Sequence, residues 1–278
     1  MIRTIQTTYR YRLQPTTQQE ALFRQFVGAR CFVWNWGLAR KREYYQATGK
    51  TLSHNALSRE LTELKCQPAT TWLCEIYAQS LQQALRDLER AFQAFFRRVR
   101  TGAPKKGYPK FKSKKTDPLS FRLSQHVQIE GEFVHVPKIG RIKAIIHRRI
   151  EGVTKSATFK QAPDGHWCVC LVVEQLVPEQ QPRPVQSYVG VDVGLKTLGV
   201  LSNSEMIANP RFYRTQIGKL ARAQRALSRK QKDSRNRGKA RRKVACIYNK
   251  ITNQRKDFLH KLSIDLVRRF NLISIEDL

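Results

Sequence analysis

Two acidic residues stand at the ends of two short apolar runs and could together hold a divalent cation. Asp192 lies in Tyr188-Val-Gly-Val-Asp-Val-Gly194, and Glu276 follows Leu272-Ile-Ser-Ile275. An unpaired carboxylate at the end of an apolar strand is costly to bury, and a bound cation offsets that cost. Two metal ions about 4 Å apart can hold the attacking water and the leaving oxygen of a phosphodiester. Two simpler interpretations stay open: Asp192 accepts hydrogen bonds from turn amides, and Glu276 is a solvated strand end.

The net charge of the chain predicts a polyanionic partner. The 278 residues contain 52 Lys and Arg against 21 Asp and Glu, a net charge of +31. Such an excess of like charge destabilises a folded protein unless a polyanion neutralises it. Nucleic acid is the first candidate and an anionic membrane surface the second. No apolar run approaches the ~18 residues of a spanning helix, and the N-terminal residues lack the apolar stretch of a secretory signal.

A block of basic residues near the C-terminal end has the composition of a phosphate-binding surface. Arg214–Lys261 holds 17 Lys and Arg and only two acids, Asp233 and Asp257. A solvated helix face with ion pairs three or four residues apart is the alternative, but few acids are present to form such pairs. Contact with phosphates would release condensed cations and add affinity independent of sequence. The candidate nucleic-acid-binding residues here are Arg229, Lys230, Arg235, Arg237, Arg241 and Arg242.

A second basic segment is interleaved with aromatic residues. Arg97–Lys115 contains nine basic residues, no acids, two prolines and two glycines. Such a segment can follow a nucleic-acid strand and stack a base, and a flexible linker is the alternative. The candidate nucleic-acid-binding residues are Lys105, Lys106, Tyr108, Lys110, Phe111, Lys112, Lys114 and Lys115. Upstream, core or interface packing is favoured over base stacking for Trp34, Trp36, Tyr44 and Tyr45.

Helices must position the first of these groups. Thr17-Gln-Gln-Glu20 has the spacing of a capping box and predicts a helix start, with apolar residues at helical spacing up to about Tyr45. Gly49 marks the stop, and further helices are predicted over about Ser53–Lys65 and Ala78–Val99. Residues 16–100 are therefore expected to form a small helical domain.

Strand patterns dominate the next segment. Alternating apolar residues flank Glu130-Gly131-Glu132 and Ala162-Pro-Asp-Gly165, which predicts two hairpins and a barrel-like unit over residues 118–176. The first strand, Ile2–Leu13, is a candidate to pair with it. A Pro/Gln-rich linker, Val177–Gln186, precedes a hairpin of Tyr188–Gly194 with Leu198–Leu201. Helices over about Arg214–Lys232 and Lys239–Phe270 and a last strand follow.

The six cysteines form no recognisable zinc site. They are Cys31, Cys66, Cys74, Cys168, Cys170 and Cys246, and no two have CxxC spacing. Cys168 and Cys170 are two residues apart in a predicted strand, which places them on one face as reduced, buried thiols.

The motifs taken together resemble the TnpB (OrfB) family of insertion-sequence proteins, transposon-encoded RNA-guided DNA nucleases. The resemblance runs over essentially the whole chain and rests on an ordered set of motifs. They are Val33-Trp-Asn35 with Leu38, Gly107-Tyr-Pro-Lys-Phe-Lys112, Gly190-Val-Asp-Val-Gly-Leu-Lys196, Asn209-Pro-Arg-Phe-Tyr213, Leu227-Ser-Arg-Lys230, Arg255-Lys-Asp-Phe-Leu-His-Lys-Leu-Ser263 and Ile275-Glu-Asp-Leu278.

The resemblance implies an α+β multidomain fold: a helical recognition lobe inserted in an oligonucleotide-binding-type β-barrel, followed by an RNase H-like (RuvC) nuclease domain. The implied boundaries are 1–15 for the first strand of the barrel (wedge) domain, 16–115 for the helical domain with the basic loop, 116–180 for the rest of the barrel, and 187–278 for an incomplete nuclease domain. By the same resemblance, Asp192 and Glu276 look like the first and second RuvC carboxylates of the family, and both are expected to bind Mg²⁺. The implied partners are a transposon-derived guide RNA and a double-stranded target DNA with a short flanking motif, in the cytoplasm near the nucleoid.

The sequence also departs from the family pattern. The third carboxylate and the four-cysteine zinc segment, both implied to follow the second carboxylate, do not occur in the 278 residues. We therefore expect a truncated copy with little cleavage activity and one uncovered sheet edge. Three alternatives stay open: a nuclease-dead RNA-guided repressor, a structural RNA-binding protein, and a transposase that cuts and joins transposon ends.

Overall fold

The chain folds as a mixed helix and sheet protein with two compact units. The computed structural model describes residues 2–113, 117–179 and 184–276. The first unit comprises residues 1–162 and 166–178, and the second comprises 163–165 and 179–278. Among the helices described, none has the length and apolarity that crossing a membrane requires.

The first unit contains a seven-stranded antiparallel sheet in the order β2-β6-β7-β1-β5-β4-β3. The strand that opens the chain is central to it, since β1 pairs with β7 on one side and β5 on the other. Both predicted hairpins are confirmed, as β3 with β4 and β6 with β7. The strands are β1 (Ile2–Gln14), β2 (Ser120–Leu123), β3 (Gln128–Glu130), β4 (Phe133–Val136), β5 (Gly140–Ile145), β6 (Val153–Gln161) and β7 (Trp167–Pro178).

The helices of the first unit occur in sequence between β1 and β2. They are α1 (Thr17–Thr48), α2 (His54–Cys66) and α3 (Ala78–Arg100), with a 3-10 helix over Pro68–Glu75. Gly49 ends α1 in the left-handed conformation, as predicted. The predicted capping residue was wrong by one position: Thr16, not Thr17, caps α1 and exchanges hydrogen bonds with Gln19. The backbone of Thr16 is extended, as expected for an N-cap residue, which lies just outside the helix.

One apolar core joins the helices of the first unit to its sheet. Phe23 of α1 is fully buried, and its ring lies 4.8–5.8 Å from the rings of Phe121, Phe159 and Trp167. Burying aromatic side chains of this size is a main source of stability. The alternation of β7 places Val169 in this core and Cys168 on the opposite face.

The contact between α1 and α3 depends on a small residue and a buried cation. A Cβ atom at Gly37 would lie 2.9 Å from Leu85 Cδ2, so the two helices pack closely there. One turn later, Lys41 is 4% exposed and donates to Glu89 at 2.8 Å and to the Leu52 carbonyl at 2.6 Å. Pairing is what makes a buried ammonium tolerable.

The second unit contains a four-stranded sheet in the order β10-β9-β8-β11. The pair β8–β9 is the predicted hairpin, whereas β11 runs parallel to β8 and is an end strand of the described sheet. The elements are β8 (Tyr188–Val193), β9 (Gly199–Leu201), β10 (Met206–Ile207), α4 (Phe212–Ser228), α5 (Arg235–Arg269) and β11 (Leu272–Ile275).

The basic helices have different limits from those predicted. α4 ends four residues before Lys232, and α5 begins at Arg235 rather than Lys239. Ser234 explains the earlier start, because its hydroxyl accepts the Arg237 amide hydrogen at 3.1 Å as a helix cap does. Apolar side chains of α5, such as Phe258 and Leu262, pack against Val189 of the sheet.

Candidate metal site and nucleic-acid interface

The parallel strand pair brings the two candidate carboxylates together. In the β8–β11 ladder, Ile275 lies opposite Val191, so Glu276 and Asp192 occupy the next pair of positions. Neighbouring strands lie about 4.8 Å apart, and both residues are at the carboxyl ends of their strands. Positions 84 residues apart in the chain are thus adjacent in the sheet.

The alternation of the strands puts both carboxylates on one face of the sheet. Val189 and Ile273, which pack against α5, belong to the other face. Asp192 and Glu276 are both exposed. The expectation that they are acids buried at strand ends was therefore wrong, and no burial cost needs to be offset. Their adjacency, not their desolvation, is the feature that supports a shared cation.

The turn after Asp192 is held by a motif to which the sequence assigned no role. The Asn209 amide donates to the Leu195 carbonyl at 3.5 Å, and the Arg211 guanidinium donates to the Lys196 carbonyl at 3.4 Å. The side-chain oxygen of Asn209 also accepts the Arg211 backbone amide hydrogen at 3.1 Å, a hydrogen bond within the motif. Asn209-Pro-Arg211 thus anchors the turn that leaves the carboxylate strand.

The donor types at this pair fit Mg²⁺ better than zinc. Mg²⁺ is commonly bound by one or two carboxylates, with water completing its shell. Within residues 2–113, 117–179 and 184–276, no group of three or more His, Cys, Asp or Glu side chains could hold a metal ion. The six cysteines form no disulfide.

The basic loop is held against α1 by hydrogen bonds to its backbone. Trp34 Nε1 donates to the Lys110 carbonyl at 2.9 Å. The Asn35 amide donates to the Lys112 carbonyl at 2.9 Å and accepts the Lys112 amide hydrogen at 2.7 Å. Two motifs 77 residues apart therefore meet, and the loop from Gly107 to Lys112 is not a free linker.

Lys112, one of the predicted nucleic-acid-binding residues, is half-buried. Its ammonium group lies 3.6 Å from the centroid of the Trp34 ring, and Trp34 itself is buried. Loss of hydration is the largest cause that lowers the pKa of Lys112 to about 8, and repulsion from Arg30 is the second. Trp34 is thus a packing residue, as favoured, and Lys112 serves at least in part to fix the loop.

The other described candidate residues of the basic loop are accessible to solvent. Lys105, Lys106, Tyr108, Lys110 and Phe111 are exposed. Arg98 of α3 donates to the carbonyls of Lys106 and Gly107 at 2.8 and 3.2 Å, so the backbone beneath these side chains is fixed. Lys114 and Lys115, also predicted to bind nucleic acid, lie outside the described residues.

The basic residues of the second unit cluster around the turn between α4 and α5. Arg229 and Lys230 follow α4, and Arg235 and Arg237 begin α5. Arg237 donates to the Lys230 carbonyl at 2.8 Å and so closes the turn. The remaining candidates, Arg241 and Arg242, are exposed on α5. This arrangement presents cations along one helical hairpin, as a phosphate-binding surface requires.

Two family descriptions match this chain. Residues 169–278 match the OrfB family of IS605 elements, described as "Probable transposase". Residues 1–50 match a family described as a helix-turn-helix domain, although the structure has a strand and a single long helix there.

The relatives are candidate RNA-guided DNA endonucleases by name. InsQ of Escherichia coli K12 is 35% identical over 97% of this chain and 65% of its own length. A Streptomyces pristinaespiralis relative is 34% identical over the whole chain and 68% of its own length. The chain thus spans about two thirds of their lengths.

A solved complex of Cas12f1 with guide RNA and target DNA is similar in fold. It has 12% sequence identity and a TM-score of 0.50 over 99% of this chain and 81% of that one. This likeness concerns the fold alone.

Proposed function

The chain belongs to the TnpB (OrfB) family of insertion-sequence proteins, and we propose that it is an RNA-guided DNA-binding protein with an endonuclease site at Asp192 and Glu276. The partners would be a guide RNA from the transposon end and a double-stranded target with a short flanking motif. In this scheme base pairing selects the target, and the protein contacts the backbone and the flanking motif.

The adjacency of Asp192 and Glu276 in parallel strands is the observation that carries the proposal. Ionised carboxylates are acceptors only, and two on one face can converge on one hard cation. Gly190 and Ser274 share that face and leave room beside the pair, and Val200 of β9 lies opposite Asp192. A bound Mg²⁺ would supply polarisation of a phosphate oxygen and ordering of the attacking water.

The exposed cations of both units supply the nucleic-acid contacts in this proposal. The basic loop and the α4–α5 hairpin contain few acids to neutralise them, so phosphates are their natural counter-charges. The loop backbone is fixed by Asn35 and Arg98, which lowers the ordering cost of binding.

We assign residues 1–15 and 116–180 to a wedge-type barrel, 16–115 to an inserted helical recognition domain, and 187–278 to an incomplete RuvC-like domain. The position of β1 between β7 and β5 supports the insertion, because the helices then interrupt one sheet in sequence. In the described residues the end strands β2 and β3 do not pair with each other, so closure of the barrel remains part of the proposal.

The same residues limit the activity that we propose for a polypeptide of these 278 residues. It holds two of the three carboxylates that the family resemblance implies, and two ligands hold a pair of metal ions poorly. We expect firm RNA-guided binding and weak cutting. A chain that binds without cutting would act as a roadblock on DNA.

The test combines the purified chain, a matched guide RNA and a target duplex with Mg²⁺. Guide-dependent binding should weaken steeply as salt rises, because the contacts release counterions. Any slow cleavage should disappear in Asp192→Asn and Glu276→Gln. The matched control is Asp257→Asn, which removes an exposed carboxylate of α5 that pairs with Lys261.

Three results would contradict the proposal. Binding that ignores the guide, or a flat salt dependence, would remove the RNA-guided function. Cleavage that survives both carboxylate variants would remove the assigned site. Efficient cleavage by the 278-residue chain that is lost in Asp192→Asn would keep the site and refute the weak activity.

A further inference from the structure

A cavity lined by aromatic side chains lies within the helical part of the first unit. Its volume is about 360 Å³, and α1, α3 and the basic loop all line it. We call it the aromatic cavity and define it by the residues Arg42, Tyr45, Gln46, Phe95, Phe96 and Tyr108. None of these except Tyr108 was predicted to bind a ligand.

Tyr108 is held in place without being buried. Its ring meets the ring of Phe95 at 5.2 Å and 83° and that of Phe92 at 5.7 Å and 88°. These edge-to-face contacts fix the orientation of the ring. Tyr108 is nevertheless 45% exposed, and Phe96 beside it is 50% exposed. Flat apolar surface is thus presented to solvent on a rigid support.

The polar lining matches a ligand with a hydrogen-bonding edge and negative charge. Gln46 and Arg42 are exposed at the cavity, and an amide and a guanidinium are common partners of base edges. Lys41 beneath them is already paired with Glu89, so the floor adds no free charge. The adjoining segment from Arg97 to Lys112 is basic and has no acidic residue, which disfavours a cationic or purely apolar occupant and favours one that carries phosphates.

From this combination we infer that the aromatic cavity binds one unpaired nucleobase of a single-stranded segment, stacked on Tyr108 and Phe96, with the flanking phosphates on the basic loop. The inference rests on the proposed nucleic-acid function and adds a defined base site to it. Stacking on an aromatic ring tolerates any base, because every base has a π-face. The stacking contribution therefore does not depend on which base is bound.

The test measures binding of the full chain to a single-stranded RNA 12-mer with one 2-aminopurine among uridines. Stacking quenches 2-aminopurine fluorescence, so binding should reduce its emission. Tyr108→Leu should weaken binding roughly ten-fold and abolish the quenching, whereas Tyr108→Phe should preserve both. The matched control, Tyr188→Leu, removes an exposed tyrosine of the second unit and should change nothing.

Two further comparisons separate stacking from charge and from misfolding. The loss in Tyr108→Leu should be the same at every salt concentration, while Lys105→Gln with Lys106→Gln should flatten the salt slope. Phe96→Leu, a change at a half-exposed position of α3, should also weaken binding and reduce the quenching, because the base stacks on both rings. It tests the base site independently of any disturbance of the loop by Tyr108→Leu.

Wild-type binding without quenching, or unchanged binding in both Tyr108→Leu and Phe96→Leu, would overturn the base site alone. Failure of the wild-type chain to bind RNA would overturn the proposed function and the base site with it.

Discussion

The two units position their candidate functional groups by different means. In the first unit, the loop that carries Tyr108 and Lys110 is fixed by hydrogen bonds to α1 and α3, beside a buried cluster of Trp34, Leu38, Leu88 and Phe92. The same unit also contains the large apolar core between its helices and its sheet. In the second, three buried residues, Val189, Leu201 and Ile207, support the sheet that carries the carboxylates, and partly buried side chains of α5 pack against them. α5 has 35 residues, of which only Ile251 is buried. The binding surface is thus rigid, whereas the carboxylate site has thin support.

This contrast should appear most strongly in stability. Phe23→Ala removes a fully buried ring of the first unit and should cost about 3–5 kcal/mol. Phe258→Ala, at a half-buried position of α5, should cost less than half of that. Thermal unfolding monitored separately in the two units would measure both. Equal losses would contradict the contrast.

The next effect concerns the support of the basic loop. Asn35→Leu removes both hydrogen bonds to Lys112 and leaves its amide and carbonyl groups without those partners, at a cost of roughly 1–3 kcal/mol. The loop should then be cut faster by trypsin at Lys105, Lys106 and Lys110. Asn55→Ala, at an exposed position of α2, is the control. An unchanged cleavage rate in Asn35→Leu would show that the loop is held by other contacts.

A smaller effect is expected at the turn behind the carboxylate strand. Asn209→Ala removes one long hydrogen bond to Leu195 and one to Arg211. The free energy of local opening at the Leu198 amide should fall by about 1 kcal/mol, measured by hydrogen exchange. The matched control is Asn203→Ala, in the turn between β9 and β10. It should leave the exchange of the Leu198 amide unchanged.

The smallest effect is a titration in the first unit. Lys112 should titrate with a midpoint of about 8, against the ordinary lysine value of 10.5, in an NMR experiment on the side chain. Contact with the Trp34 ring favours the charged form, but loss of hydration is the larger cause. An ordinary midpoint would show that Lys112 is solvated.

The same pKa shift predicts the direction of a stability change. Between pH 8 and 10.5 the unfolded chain binds the Lys112 proton and the folded chain releases it, so stability from this group rises with pH. Lys112→Gln should remove that rise. Below pH 8 the cost of charging Lys112 is fully present, and the variant should be relatively more stable there.

Local sequence patterns predicted most helices and strands, but they could not predict contacts between residues that are distant in sequence. Gly49 and the turn Glu130-Gly131-Glu132 were correctly interpreted because a helix stop and a hairpin depend on neighbouring residues. The N-cap was misplaced because Thr16 and Thr17 offer the same hydroxyl, and only the backbone conformation distinguishes them.

The candidate site was predictable in its residue types but not in its environment. Acid type and strand position selected Asp192 and Glu276 as candidates, whereas their exposure depends on which face of the sheet α5 covers. Neither the Asn35–Lys112 contact nor the role of Asn209 follows from spacing, because each joins segments whose proximity only the fold creates.

Binding of Mn²⁺, an EPR-visible substitute for Mg²⁺, tests most directly whether Asp192 and Glu276 hold one cation together. Titration of the full chain should show a site that Asp192→Asn and Glu276→Gln each weaken by at least about ten-fold, with no further loss in the double variant. Asp257→Asn should bind as the wild type does. Wild-type affinity in either carboxylate variant, or losses that simply add, would contradict a shared site.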